Sequence, residues 1–118
     1  MDGQDIANDQ SKLATDTQNY TSAIATDKAS AKSLLASDNA TIAGDKADIH
    51  TDKHDPAALE ADKIAYASAK LKLRLDTAAA KAQQNQDKAT YTALIKTDKA
   101  RLKADGQRLR KDEKAAKK

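Results

Sequence analysis

Several residue types that stabilise compact domains are missing from this sequence. The 118-residue chain has no cysteine, tryptophan or phenylalanine, and its aromatic residues are three tyrosines. Without cysteine the chain forms no disulfide and carries no thiol nucleophile. Valine is also absent and alanine supplies most of the apolar residues, which is too little bulky side chain for a globular core. The composition therefore predicts a thin structure in which each element buries one narrow stripe.

Residues that interrupt helices are also scarce, with one proline and three glycines. Alanine, lysine, leucine and glutamine, which favour helix, are abundant, and leucine and isoleucine recur at helical spacing. These features favour long helices over disorder, the alternative that low hydrophobicity suggests. No run of residues is long and apolar enough to span a membrane, and no signal-peptide pattern is present. The compartment stays open, and an exported protein whose leader has been removed is compatible with the sequence.

Aspartate recurs with a fixed spacing. Five of its positions in the first half are separated by 11, 11, 7 and 7 residues, and the same series returns sixty residues later. Steps of 7 and 11 residues are whole numbers of α-helical turns. We therefore predict an all-α fold made of two repeats, in which one helix face carries carboxylates at the register positions between the helices. The predicted register residues are Asp16, Asp27, Asp38, Asp45, Asp52, Asp76, Asp87, Asp98 and Asp105, and Asp112 completes the second series.

One segment, His54-Asp55-Pro56, has the features of a turn. Asp55 suits the N-cap of a helix, and Pro56 suits the first helical position, where the missing N–H is no loss. We predict a single helical domain over 1–118, with helix 1 at about 4–53, a turn at 54–56 and helix 2 at about 56–115. The predicted architecture is a long antiparallel, coiled-coil-like two-helix hairpin. A further break near Asn39 or 83–85 would give four shorter helices instead.

A tight turn would fix which residues face each other. It places Asp52 opposite Leu59, so that facing residue numbers add to 111. In this register no layer sets aspartate against aspartate. Two interpretations remain open: the aspartates border solvent, or their cross-helix contacts with lysine, tyrosine or threonine specify the register. The predicted layers include Asp52 with Leu59, Leu35 with Asp76, Leu13 with Asp98 and Tyr20 with Tyr91.

The two halves of the chain differ in charge. Residues 1–55 carry a net charge of −5, from five lysines and ten aspartates, and residues 56–118 carry +8, from sixteen basic and eight acidic residues. This difference suits two helices that lie side by side. The competing hypothesis is that the basic end binds nucleic-acid or lipid phosphates with little sequence selectivity. Its candidate residues are Lys96, Lys99, Arg101, Lys103, Arg108, Arg110 and Lys111.

Three further features of the sequence are candidate sites. His50 and His54, spaced by four residues, are weak candidates for Zn²⁺ or Ni²⁺, and the expectation is no metal and no cofactor. The carboxylates do not predict catalysis, because a thin hairpin offers no pocket in which two acids differ in environment. An alanine stripe predicts a homodimer that forms a four-helix bundle, or else reflects helix propensity alone. It consists of Ala7, Ala14, Ala25, Ala29, Ala36, Ala40, Ala43 and Ala47.

The segment from Asp98 to Asp112, DKARLKADGQRLRKD, resembles the aspartate- and base-rich heptad coiled coils of many bacterial, often exported, proteins. The resemblance is clearest over 87–116. The 11-residue steps are also similar to late-embryogenesis-abundant proteins, which are usually disordered when hydrated. Neither resemblance supplies a site residue. The expected function is a structural or interaction module, namely a rigid coiled-coil rod, spacer or assembly unit without catalytic activity, whose protein partner is unknown. Polyanion binding is the alternative.

Overall fold

The chain forms two long helices. The structure, a computed structural model, describes residues 2–116 and the side chains of 3–116. Within these residues there are two α-helices, α1 (Asp2–Thr51) and α2 (Pro56–Ala116), and no strand. The prediction of an all-α helical hairpin is confirmed. Neither Asn39 nor 83–85 interrupts a helix, so the alternative with four helices is wrong.

The connection between the helices begins earlier than the sequence predicts. Helix α1 ends at Thr51, and the N–H of Asp55 donates a hydrogen bond to the carbonyl of Asp52 at 2.9 Å. Pro56 opens α2 at the position where proline fits without loss. The Oδ1 atom of Asp55 accepts a hydrogen bond from the N–H of Ala58 at 3.3 Å, as expected for an N-cap.

Contacts divide the chain into two compact units. The first unit is formed by Met1–Ala25 and Asn85–Lys118, and the second by Thr26–Gln84. In the first unit the rings of Tyr20 and Tyr91 stack with their centroids 5.9 Å apart, which confirms that predicted contact. In the second unit the Nζ atom of Lys72 donates a hydrogen bond to Asp38 at 3.0 Å. Each unit therefore contains a segment of α1 packed against an antiparallel segment of α2.

One stripe of each helix is shielded from solvent, and we call the two stripes together the seam. Shielded residues recur at steps of three and four, as expected for helices that pack along one face. Aspartates alternate with apolar residues along the seam, and four of them are among its most deeply buried side chains. The seam aspartates are Asp9, Asp16, Asp27, Asp38, Asp45, Asp52, Asp62, Asp76, Asp87, Asp98 and Asp105.

The prediction that no layer sets aspartate against aspartate is wrong, because the aspartates pair about one helical turn further along α2. Asp52 is hydrogen-bonded to Asp62, so the numbers of the paired aspartates add to 114 and not to 111. The cause lies in the connection, because helices pack with their axes about 8–10 Å apart and the chain must cross that gap. Residues 52–55 and the first turn of α2 make the crossing. The first facing pair therefore lies further along α2 than a tight turn allows.

The observed register brings like residues together. Counting along the helices from the pair of Asp16 and Asp98 places Leu13 within one residue of the level of Leu102. The predicted register would have set carboxylates against aliphatic side chains. That arrangement leaves an unpaired charge in an apolar setting, which costs roughly 3–5 kcal/mol. Pairing aspartate with aspartate keeps the aliphatic layers intact and leaves the charge to be neutralised at the aspartate layers.

Candidate functional site: paired carboxyl groups in the seam

The chemically distinctive feature of the seam is a set of four carboxyl pairs. In each pair, one aspartate of α1 is hydrogen-bonded to one aspartate of α2, and we call these the carboxyl pairs. Two lie in the first unit and two in the second. They are Asp9 with Asp105, Asp16 with Asp98, Asp38 with Asp76, and Asp52 with Asp62.

The carboxyl pairs are shielded from water. Asp98 is 2% exposed and Asp38 is 5% exposed, whereas Ala69, at 8%, is the one buried hydrophobic residue in the described part of the chain. This burial contradicts the interpretation that the aspartates merely border solvent. Two carboxylates in contact repel each other, so each pair needs a proton or a cation. The four pairs meet this need in different ways.

Lys72 neutralises the pair of Asp38 and Asp76. Its Nζ atom donates hydrogen bonds to Asp38 at 3.0 Å and to Asp76 at 2.6 Å. The hydrogen bond from Lys72, followed by the contact with Asp38, holds the pKa of Asp76 below its usual range. The two carboxyl groups in turn raise the pKa of Lys72. A single cation thus spans both helices at this level.

Lys12 has the corresponding role at the pair of Asp16 and Asp98. Its Nζ atom lies 3.1 Å from Asp16 and 4.0 Å from Asp98, and Arg101 lies 3.7 Å from Asp98. The hydrogen bond with Asp98, followed by that from Lys12, lowers the pKa of Asp16. The same contact with Asp16, together with burial, raises the pKa of Asp98. Lys12 thus lies near both carboxyl groups of the pair, whose pKa values are displaced in opposite directions.

Protonation balances the pair of Asp52 and Asp62. The hydrogen bond to Asp52 is the largest cause that raises the pKa of Asp62 to about 6, and burial adds to it. The negative charges of Asp48 and Asp45 act in the same direction. At mildly acidic pH the protonated carboxyl of Asp62 therefore donates its hydrogen bond to Asp52.

The pair of Asp9 and Asp105 is intermediate. The hydrogen bond with Asp105, burial and the charge of Asp5 raise the pKa of Asp9, while Arg101 lowers it. Arg108 lies 2.8 Å from Asp105 and 3.2 Å from Asp5, at the edge of the seam. The cation at this level contacts one carboxyl of the pair and does not bridge both.

The orientation of individual oxygens is consistent with shared protons. The Oδ2 atoms of Asp9, Asp38, Asp62 and Asp98 are buried and accept no hydrogen bond from an N–H or hydroxyl donor. A buried carboxylate oxygen without a donor is costly, whereas a protonated oxygen that faces a carboxylate is satisfied. Proton uptake and release at mildly acidic pH is therefore the chemistry that the pair of Asp52 and Asp62 supports, because the pKa of Asp62 is raised to about 6.

Three further aspartates predicted at the register positions are also shielded. Asp27, Asp45 and Asp87 are half-buried within the seam, whereas Asp112, the last member of the spacing series, is exposed. The spacing of aspartate in the sequence predicts the rows of aspartate but not the pairing of one row with the other. It also missed the bridging lysines. Lys12 and Lys72 each stand four residues before an aspartate, and this spacing is the signal that would have identified them.

The basic residues predicted at the C-terminal end lie on the outside of the hairpin. Two of them also form ion pairs with seam aspartates, namely Arg101 with Asp98 and Arg108 with Asp105. Lys117 and Lys118 lie outside the described residues. The exposed candidates are Lys96, Lys99, Arg101, Lys103, Arg108, Arg110 and Lys111.

The two histidines do not share a helix. His50 lies in the last turn of α1, but the helix ends at Thr51 and His54 falls in the turn, so the helical spacing assumed for a metal site is wrong. Both side chains are exposed. Within the described part of the chain, no three His, Asp or Glu side chains form a group that could hold a metal ion.

The chain was compared with known protein families, curated proteins and solved structures. No protein-family model, curated protein or solved structure matches the chain.

Proposed function

We propose that the chain is a structural and interaction module, an antiparallel coiled-coil rod that serves as a spacer or assembly unit without catalytic activity. The observation that supports this proposal is the set of carboxyl pairs, because it specifies one register. A slip of one turn would place buried carboxylates such as Asp98 opposite aliphatic side chains. A hairpin with one register holds its ends at a defined separation, which is what a spacer requires.

The register is tested by cross-linking. We expect Asp16→Cys combined with Asp98→Cys to form a disulfide within one chain, because these carboxyl groups are in contact. The matched control is Asp16→Cys with Ile95→Cys, which reports the register that a tight turn would impose. Preferential cross-linking of the control, or cross-links between chains only, would show that the hairpin does not define a spacing.

The rod is tested by small-angle X-ray scattering together with a mass measurement. We expect the profile of an elongated particle, with the mass of one chain or, if the alanine stripe pairs, of two. Every alanine of that stripe is exposed in the single chain, so dimerisation remains a prediction. The profile of a compact sphere or a random coil would contradict the proposal.

A second candidate function, polyanion binding, is favoured by how charge is distributed between seam and surface. All 19 described lysines and arginines are exposed, whereas only 5 of the 17 acidic residues with described side chains are exposed. The outer surface is therefore more basic than the formal net charge of +3 indicates. A phosphate-rich partner would meet mostly cations.

This second candidate predicts retention of duplex DNA that weakens steeply with salt. Replacing Lys96, Lys99 and Lys103 with glutamine should reduce retention more than the same change at Lys28, Lys32 and Lys46. The two variants lose equal charge, so a difference between them locates binding at the C-terminal end. Absence of retention at low salt would contradict binding of nucleic acid by the basic C-terminal end.

A further inference from the structure

Helix α2 has an apolar stripe that the hairpin does not cover. Ile64, Leu71 and Leu75 are 63%, 51% and 60% exposed. Counting along an ideal helix places them within an arc of about 40°, on the side opposite the seam residue Leu73. We call the exposed side of residues 57–82 the outer face. Alanine and serine fill the positions between the large residues, so the stripe is continuous.

A row of cations borders this stripe. Lys63, Lys70, Arg74 and Lys81 fall on one flank at steps of seven, four and seven residues, and all are exposed. Three of them, Lys70, Arg74 and Lys81, line a shallow depression of about 440 Å³. The Nζ atom of Lys70 lies 4.9 Å above the centroid of the Tyr66 ring, which holds this cation along the flank.

The opposite flank carries Lys72, and Glu60 is the one exposed acid within 57–82. If two copies paired through their outer faces in antiparallel fashion, the row containing Lys63 and Arg74 would meet its own copy. Like charges would then face each other, which destabilises such a pair. A nucleic acid would satisfy the cations but would leave Leu71 and Leu75 in water. An anionic lipid surface satisfies both the apolar stripe and the cations.

We propose that the outer face of α2 binds an anionic lipid surface, with Ile64, Leu71 and Leu75 entering the headgroup region while Lys63, Lys70 and Arg74 contact lipid phosphates. The helix lies along the surface, as amphipathic helices do when apolar insertion and cationic attraction act together. None of the described helices is long and apolar enough to span a bilayer. This inference goes beyond the spacer function and does not depend on it.

The test is sedimentation of the full chain with vesicles of phosphatidylcholine, with or without about one third phosphatidylserine. We expect binding to the anionic vesicles alone, weakened by salt. Leu71→Ser with Leu75→Ser should weaken partitioning by about tenfold or more, because the inserted area is lost. The matched apolar control is Leu34→Ser with Leu94→Ser, at side chains that are 40% and 39% exposed outside the outer face.

A second variant tests whether the cations on the flank bind the lipid surface or whether the net charge of the chain alone accounts for binding. Lys63, Lys70, Arg74 and Lys81 are changed to glutamine, and the control changes Lys28, Lys32, Lys46 and Lys53 instead. We expect the first variant to lose about tenfold or more in partitioning and the control to stay within about threefold of the unchanged chain. All eight positions are exposed, and circular dichroism verifies that each variant keeps its helix content.

Several outcomes would overturn the lipid assignment. One is absence of binding to phosphatidylserine vesicles at low salt. Another is unchanged binding by the Leu71→Ser and Leu75→Ser variant, which would show that attraction is purely electrostatic. Retention of duplex DNA without vesicle binding would assign the cations to nucleic acid. A dimer that the two serine substitutions convert to a monomer would assign the stripe to a second copy. Each outcome is distinguishable from failure of the spacer, which cross-linking and scattering test.

Discussion

Two layers of the second unit contain the same carboxyl chemistry but neutralise it differently. At Asp38 and Asp76, Lys72 donates hydrogen bonds to both carboxyl groups, and the pKa of Asp76 is lowered. At Asp52 and Asp62 the nearby charges are those of Asp48 and Asp45, and the pKa of Asp62 rises to about 6. One layer therefore uses a cation where the other uses a proton.

The two pairs are neutralised differently because they differ in the residue that lies four positions before one aspartate of the pair. Lys12 and Lys72 occupy the residue four before an aspartate, from which a side chain reaches the carboxyl of the same helix and the carboxyl opposite. The residue four before Asp52 is Asp48, and its charge raises the pKa of Asp62 further. Identical pairs of aspartate can therefore have opposite responses to pH, depending on one neighbour.

The two layers should oppose each other when pH changes. Asp62 retains its proton at pH values where an unfolded carboxyl, with a pKa of 3.8, has released it. Its contribution to stability is thus fully present below 3.8 and is lost as pH rises through about 6. The lowered pKa of Asp76 contributes stability above 3.8, which is lost as pH falls through its folded-state pKa. We expect maximal stability between roughly pH 4 and 6.

The largest change in thermal stability should follow from removing Lys72, the cation that bridges Asp38 and Asp76. Lys72→Met leaves Asp38 and Asp76 facing each other without a counter-charge, and we expect the melting temperature at pH 7 to fall by about 8 °C. Melts at pH 4.5 should show a smaller loss, because protonation then replaces the lysine. Lys46→Met, at an exposed position of α1, is the control. Equal losses at both pH values would indicate that Lys72 stabilises by packing alone.

The converse change should give the pair of Asp52 and Asp62 a bridging cation. Asp48→Lys places a lysine four residues before Asp52 and removes a charge that raises the pKa of Asp62. We expect the melting temperature at pH 7 to rise by about 5 °C, with additional help from a cation near the C-terminus of α1. Asp48→Asn separates the two causes, since it removes the acid without adding the base. If both variants behave alike, the bridge does not form at this level.

The sequence predicts the two helices well, but it does not predict which aspartates pair between them. The steps of 7 and 11 residues gave the two helices, and Tyr20 and Tyr91 meet as predicted because long side chains reach each other across a modest register error. The pairing of Asp52 with Asp62 was missed because the width of the connection is not encoded in a local pattern. The aspartate spacing is compatible with either register, and pairing of like charges becomes acceptable only once protons or lysines are counted.

A third prediction concerns the protonated layer. Asp62→Asn keeps the shape of the side chain and its ability to donate a hydrogen bond to Asp52, but it removes the titration. We expect the melting temperature at pH 7 to rise by about 4 °C and the decline in stability between about pH 5 and 7 to flatten. Glu113→Gln, an exposed acid far along α2, is the control. A decline that persists in Asp62→Asn would assign the pH response to another pair.

The smallest expected change in stability comes from Gly44, which lies between the two carboxyl pairs and contacts neither of them. Gly44 lies within α1, between Asp38 and Asp52, and a Cβ added there would have no atom within 4 Å. Gly44→Ala therefore adds helix propensity without new contacts and should raise the free energy of unfolding by about 0.5–1 kcal/mol. The gain should be equal at pH 5 and pH 7, because no titrating group is involved. Urea denaturation at both values measures it. A gain that depends on pH would mean that strengthening α1 alters the carboxyl pairs on either side, and that the two layers are coupled through the helix and not independent.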